Sequence, residues 1–225
     1  MLNPQAETLI ITSKCSAGCT PCPFGSGLLP HRFLPAEQIV ERLRSSKAPL
    51  VVLTGGEPLE HPEFDRLVAL IESETASRTL APFRIATGGH IEFSESLLES
   101  LMRIPSFTGV SLGTDVLTEV CSMRAEHSVT WNQNVKMLNR LGVPYSLTLT
   151  VHQKGDGNTP EGSPVDIVTD DARLDCLGPL KVAAQLEVQP QFIYLRIFQS
   201  ELLSEKDITK VRAIFGGSRV LFDRV

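Results

Sequence analysis

Hydrophobic positions in this chain follow two alternating periods. Thr8-Leu9-Ile10-Ile11-Thr12 is a short, largely apolar run that predicts a first strand. Pro35 opens a stretch with apolar residues at Ile39, Val40 and Leu43, the spacing of one helix face, and proline suits a first helical turn. Leu50-Val51-Val52-Leu53 is a continuous apolar run of the kind found in a strand covered on both faces. After Gly55-Gly56, a helix is predicted from Pro62 with Phe64, Leu67, Val68 and Ile71 on its buried side. The same alternation continues with a strand at Phe83–Thr87, a helix at Ser94–Met102, a strand at Gly109–Gly113 and a helix at Thr130–Leu141. Gly142 stands where a left-handed cap would close that last helix. Tyr145–Val151 and Phe192–Ile197 read as the fifth and sixth strands.

Strands alternating with helices imply right-handed crossovers and a mainly parallel sheet. The expected architecture is α/β: a six-stranded (β/α)6 partial TIM barrel with a short C-terminal helical and strand extension. The barrel domain is expected over residues 1–200. The extension, 201–225, would pack on it with a helix from Ser204 to Phe215 and the apolar run Val220-Leu221-Phe222. Between His152 and Pro190 the alternation breaks. Glycine and proline crowd the segment from Gly155 to Pro164, which marks a loop, either a surface excursion or a substrate-facing lid.

Composition changes this picture little. The 225 residues suffice for one sizeable core, and 42 % hydrophobic with 21 % charged residues is ordinary for a globular chain. The net charge is −5, and no concentrated run of Lys and Arg offers a face for a nucleic-acid backbone. No apolar run approaches the roughly 20 residues of a membrane span. The first residues lack the basic and apolar regions of a signal peptide, so a cytoplasmic setting is expected.

The cysteines change it more. Three of the five, Cys15, Cys19 and Cys22, fall in one short segment directly after the first predicted strand. Their Cys-x3-Cys-x2-Cys spacing argues for metal binding over a disulfide framework. Thiolates select iron–sulfur clusters, zinc or copper(I). A structural zinc site wants a fourth ligand, and the nearest candidate, His31, lies nine residues beyond Cys22. Three thiolates on a four-iron cluster would leave one iron open to a ligand. The other histidines, His61, His90, His127 and His152, are scattered and make no pair by spacing; His61 stands just before a helix. Cys121 and Cys176 suit small buried positions.

A second motif, Thr54-Gly55-Gly56-Glu57-Pro58, follows the second predicted strand. With the cysteine loop after the first strand, it makes the chain resemble the radical S-adenosylmethionine (SAM) superfamily from about Thr8 to Val151. The resemblance implies that Cys15, Cys19 and Cys22 ligate a [4Fe-4S] cluster whose open iron chelates SAM. Reductive cleavage of SAM would then give a 5′-deoxyadenosyl radical that abstracts hydrogen from a substrate. Gly55, Gly56, Glu57 and Pro58 match the segment that meets the SAM amino group. Backbone acceptors and a carboxylate suit an ammonium, and glycine permits close approach. Thr87 and Ser111 match positions near the SAM carboxylate and ribose. Asp115 could meet ribose hydroxyls, and Arg124 could clamp the carboxylate.

Three features depart from the family pattern. Pro21 stands where an aromatic residue usually precedes the third cysteine, and Phe24 is the candidate to flank the adenine instead. The fifth strand, Leu147-Thr148-Leu149-Thr150-Val151, lacks the family's Gly-x-Ile-x-Gly segment. No cysteine-rich C-terminal stretch is present, so one cluster per chain is expected. The implied partners are SAM, a peptide, protein or small-molecule substrate, and a reductant such as flavodoxin or ferredoxin. A glycyl-radical-activating enzyme is the second reading within this class. A non-catalytic zinc or electron-transfer module is the reading outside it.

Overall fold

A computed structural model describes residues 6–18, 30–75, 79–115, 122–151, 192–197 and 219–224; for 114–115, 122–128, 147–151 and the last two strands only the backbone is described. Among these residues, seven strands form one sheet: β1 (Ala6–Thr12), β2 (Leu50–Gly55), β3 (Phe83–Thr87), β4 (Phe107–Asp115), β5 (Tyr145–Val151), β6 (Phe192–Ile197) and β7 (Arg219–Arg224). They lie in chain order, β1 to β7, and every neighbouring pair is parallel. Four helices connect or flank the first five: α1 (Ala36–Ser45), α2 (Phe64–Thr75), α3 (Glu95–Met102) and α4 (Ser122–Arg140).

The strand count exceeds the six expected. The run Val220-Leu221-Phe222 joins the ladder of β6 as a parallel seventh strand, Leu195 opposite Phe222. Strand edges left unpaired carry rows of unsatisfied N–H and C=O groups, so an apolar run at the sheet margin gains most by pairing. Helix starts also moved. Pro35 is the N-cap of α1 and not part of its first turn. Residues Pro58–Glu60 make a 3₁₀ turn that no periodicity announced, and α2 begins after it at Phe64, where Phe64 N donates to His61 O. Helix α4 begins at Ser122, eight residues ahead of Thr130. Gly142 does sit in the left-handed region, φ +66, with Val143 N donating to Leu138 O behind it. The 152–190 segment and the helix expected at 204–215 lie outside the described residues.

The two faces of the sheet differ. Leu9, Ile11, Val51, Leu53, Phe83, Ile85, Val110, Leu112 and Tyr145 are buried in one cluster with Ile39, Leu43, Leu67, Ile71, Leu98, Leu101, Val135 and Leu138 from the four helices. Each such side chain contributes roughly 1.5–3 kcal/mol by leaving water. The alternate positions are less covered: Ile10 is 52 % exposed, and Val52, Thr54 and Ser111 are half-buried. The double covering expected for Leu50–Leu53 therefore holds on one face only. On the other face Arg84 and Ser146 are buried, and Arg84 Nη1 donates to Ser146 Oγ at 2.8 Å.

Candidate functional site at the C-terminal ends of the strands

In parallel α/β sheets, ligands are met beyond the carboxyl ends of the strands. Here that edge gathers the cysteine loop after β1, the Gly-Gly-Glu-Pro turn after β2 and the Thr87–His90 turn after β3. The cysteine segment leaves and returns at one place. Ser13 N donates to Arg32 O at 2.8 Å, Leu34 N donates to Ile11 O at 2.9 Å, and Arg32 N donates to Ser13 Oγ at 2.8 Å. The base of the loop is thus pinned on both sides, and half-buried Cys15 stands just above it.

The Gly-Gly-Glu-Pro turn lies directly on that base. Gly56 N donates to Thr12 O at 2.7 Å and Glu57 N donates to Lys14 O at 2.8 Å. A Cβ on Gly55 would stand 2.0 Å from Thr12 O, and one on Gly56 2.2 Å from Lys14 O. Both atoms belong to backbone, which cannot swing aside, so glycine is required for this approach; Gly55 also has φ +144. Pro58 is buried as the first residue of the 3₁₀ turn.

Glu57 is fully buried. Its Oε2 accepts from Thr87 Oγ at 2.8 Å and from Gly88 N at 3.0 Å, and its Oε1 accepts from Leu59 N at 3.2 Å. Burial pushes its carboxyl up to about 7; the donors Thr87, Leu59 and Gly88 pull it down, and the nearby Glu60 carboxylate adds to the rise. Thr87 is occupied on both sides of its hydroxyl, since Gly89 N donates back to it at 3.0 Å. Ser111 sits lower, within 2.8 Å of Ser146 Oγ and so linked to Arg84. Asp115 ends β4 and Arg124 lies in the first turn of α4, each described by its backbone alone. Cys19, Cys22, Phe24, Cys121 and Cys176 lie outside the described residues.

The structure adds two residues to this edge that spacing did not single out. Glu60 Oε1 accepts from Ser16 N at 2.6 Å and from Ser16 Oγ at 2.7 Å, and Lys14 Nζ stands 3.7 Å from Oε2. Burial opposes ionisation of Glu60, but the two Ser16 donors and His90 outweigh it and hold the carboxyl below its ordinary value. His90, its side chain 5 % exposed, has Nε2 3.4 Å from Glu60 Oε1 and Nδ1 3.5 Å from Glu57 Oε2. Its turn is held by buried Asn134, whose Nδ2 donates to Gly89 O and Ile91 O while Phe93 N donates to its Oδ1. His90, scattered by sequence, is therefore a neighbour of Cys15 in space. The usable signal was positional: Cys15, Glu60 and His90 each stand within a few residues of the end of adjacent parallel strands. His61 plays the helix-opening part expected of it. Glu63 N donates to its Nδ1, leaving Nε2–H for Leu34 O at 2.7 Å.

What is described of the cysteine loop suits an iron–sulfur cluster. A soft thiol stands half-buried on a loop pinned at its base, and a glycine pair that admits no side chain presses against that base. No helix among the described residues is long and apolar enough to cross a membrane.

Comparison with known proteins agrees. GTP 3′,8-cyclase of Pectobacterium atrosepticum is 40 % identical over 90 residues, which are 36 % of this chain and 26 % of that protein. The chain therefore matches about a quarter of that relative's length. Streptococcus suis SuiB shares the fold in two crystal structures. Bound to precursor peptide SuiA, it has a TM-score of 0.63 at 13 % identity, covering 98 % of this chain and 49 % of SuiB. Bound to S-adenosylmethionine, it has a TM-score of 0.59 at 11 % identity, covering 98 % and 47 %. The radical SAM methyltransferase TsrM of Kitasatospora setae, with cobalamin and a [4Fe-4S] cluster bound, has a TM-score of 0.56 at 13 % identity, covering 85 % of this chain and 36 % of TsrM. The family model for the radical SAM superfamily matches residues 9–159, from within β1 to beyond β5 and with both motifs included, and the chain belongs to that superfamily.

Proposed function

We propose that this chain cleaves S-adenosylmethionine reductively and uses the product to take a hydrogen atom from a substrate. The observation that supports this is the seating of Gly56 N on Thr12 O and Glu57 N on Lys14 O, which joins the Gly-Gly-Glu-Pro turn to the base of the cysteine loop. When bound, the cluster supplies the electron that breaks the C5′–S bond of SAM. The chain's own residues do the rest. Cys15, Cys19 and Cys22 hold the cluster; Gly55 and Gly56 bring the turn close enough to meet the SAM amino group. Glu57 faces that ammonium as a buried carboxylate kept in place by Thr87, Gly88 and Leu59. Phe24, Ser111, Asp115 and Arg124 complete the contacts to adenine, ribose and carboxylate.

The substrate we favour is a peptide or protein side chain, or a bulky natural-product intermediate. The half-covered second face of the sheet, with Ile10 52 % exposed beside Thr54, leaves room for a bulky group, and SuiB, which shares the fold, binds a precursor peptide. In this reading the sheet curls into a partial barrel over residues 1–200 with 201–225 added at its margin. The enzyme works in the cytoplasm, with flavodoxin or ferredoxin as reductant.

The test is anaerobic. The chain is reconstituted with iron and sulfide, reduced with dithionite and given SAM, and 5′-deoxyadenosine is measured by mass spectrometry. Product that vanishes in the Cys15/Cys19/Cys22→Ala triple variant is expected. Equal product from the triple variant, or none from a fully reduced four-iron protein, would sink the proposal.

A further inference from the structure

Cys15, Glu60 and His90 place a thiol, a carboxylate and an imidazole within 4.8 Å of one another. We propose that these three form a site for a single divalent cation of zinc's preferences, occupied when the cluster is not.

The distances carry the assignment. His90 Nε2 and Glu60 Oε1 are 3.4 Å apart. That is beyond the 2.7–3.2 Å of a good N–H···O bond. It equals the edge of a tetrahedron: two ligands at about 2.0–2.1 Å from one zinc lie about 3.4 Å apart. Cys15 Sγ is near enough to complete a third corner by side-chain torsion, since the residue is half-buried and its neighbour Ser16 is already fixed by Glu60.

The surroundings are those of a metal-bound histidine. Such residues almost always turn their second ring nitrogen to a carboxylate, which sets the tautomer and the ring plane. Here the carboxylate facing His90 Nδ1 is that of Glu57, with Oε2 at 3.5 Å, so metal at Nε2 must draw the ring slightly closer to complete that bond. Charge also balances, because a thiolate and a carboxylate offset a dication while the imidazole binds neutral. Other groups facing the site are Ser16 N and Oγ, both bound to Glu60 Oε1, with Ser16 Oγ also 3.4 Å from His90 Nε2, and Lys14 Nζ, 3.7 Å from Glu60 Oε2. Lys14 is half-exposed and can turn outward, and the dication then takes its place beside the largely buried Glu60 carboxylate. Three protein ligands leave the fourth position to water.

Cys15 belongs to both this site and the cluster, so the two occupancies exclude each other. A zinc-loaded chain must release its ion before a cluster is built. The site itself needs neither Cys19 nor Cys22, and this separates it from any three-thiolate site and from the cluster reading.

The test uses the full chain carrying Cys19→Ala and Cys22→Ala, metal-free and anaerobic. Zinc is added against a chromophoric chelator, and cobalt(II) in its place reports geometry. One zinc per chain is expected, with a sulfur-to-cobalt charge-transfer band and tetrahedral ligand-field bands. Adding His90→Ala should weaken zinc at least tenfold, and the isosteric Glu60→Gln, which keeps the shape of the site, should do so with the circular dichroism unchanged. In the otherwise wild-type chain, preloaded zinc should slow cluster reconstitution several-fold, and His90→Ala should remove that delay. Failure of the Cys19/Cys22 variant to bind zinc stoichiometrically, or binding untouched by both His90→Ala and Glu60→Gln, overturns the site and leaves the cluster reading standing.

Discussion

The helix-covered face of the sheet is buried and its C-terminal edge only partly so, and different forces assemble them. The covered face is a continuous apolar cluster in which Phe83, Ile85 and Val110 meet Leu67, Leu98 and Val135. No one partner is essential there, because the hydrophobic effect has no direction. The edge is made of polar groups that must each find a named partner: Glu57 with Thr87 and Gly88, Glu60 with Ser16, Asn134 with Gly89 and Ile91. A buried polar group left unpaired costs about 1–3 kcal/mol, so errors at the edge are local and specific. The covered face supplies stability, and the edge converts part of it into a fixed geometry.

This contrast is open to attack from both sides. The largest effect belongs to the covered face. Phe83 is fully buried, and Phe83→Ala should cost about 3–5 kcal/mol in urea unfolding. Iron and sulfide content of the folded fraction should stay at the wild-type level; loss of the cluster without loss of stability would erase the distinction. Next comes the buried carboxylate. Glu57 stands near pH 7 in the fold against 4.5 for a free carboxyl, so the folded state binds the extra proton between those values. Stability from this group is full below about pH 4.5 and falls as pH rises to about 7, by an amount on the order of 3 kcal/mol. Above pH 7 it is flat. The difference between the unfolding free energies of wild type and Glu57→Gln, measured across that range, should show this fall, and parallel curves would refute it. Smaller still is Gly56→Ala, whose Cβ would meet Lys14 O at 2.2 Å. Overpacking there should cost about 1–3 kcal/mol, yet remove most cluster uptake, because it parts the turn from the cysteine loop.

The same contrast explains what was legible in the chain. Strands β3, β5 and β6 have the bounds their apolar runs announced, and the α2 face of Phe64, Leu67, Val68 and Ile71 is buried as its period required. Those features rest on hydrophobic period, a property of one segment at a time. The motif residues were legible for another reason: Gly55-Gly56-Glu57-Pro58 and the cysteines are contiguous, and glycine next to glycine has few other uses after a strand. What stayed hidden depends on residues brought together from separate segments. His90 carried no signal alone, because its meaning lies in Glu57 and Glu60, each some 30 residues away. The 3₁₀ turn at Pro58–Glu60 was hidden because Glu57 stabilises it by capping Leu59 N with its side chain, which no period records. β7 stayed a tail until β6 was available to pair it.

The smallest predicted effect probes that hidden layer. Glu60 contributes no apolar area to the cluster of the covered face, and its Lys14 partner is half-exposed, so the ion pair adds little. Its two bonds from Ser16 are another matter, because one donor is the backbone N–H directly after Cys15. Glu60→Ala removes both acceptors but leaves Ser16 near solvent, where water replaces them, so the stability loss should be only about 1–2 kcal/mol. The loop should still loosen. In a metal-free chain, the rate of Cys15 alkylation by iodoacetamide, followed on its tryptic peptide, should rise several-fold over wild type, and Glu60→Gln, which keeps an acceptor oxygen, should restore most of the protection. A Cys15 rate unmoved by Glu60→Ala would mean that the pins at Ser13, Arg32 and Leu34 hold the loop unaided. The edge would then be organised from the base of the loop alone, and Glu60 would be a carboxylate that lies beside it without holding it.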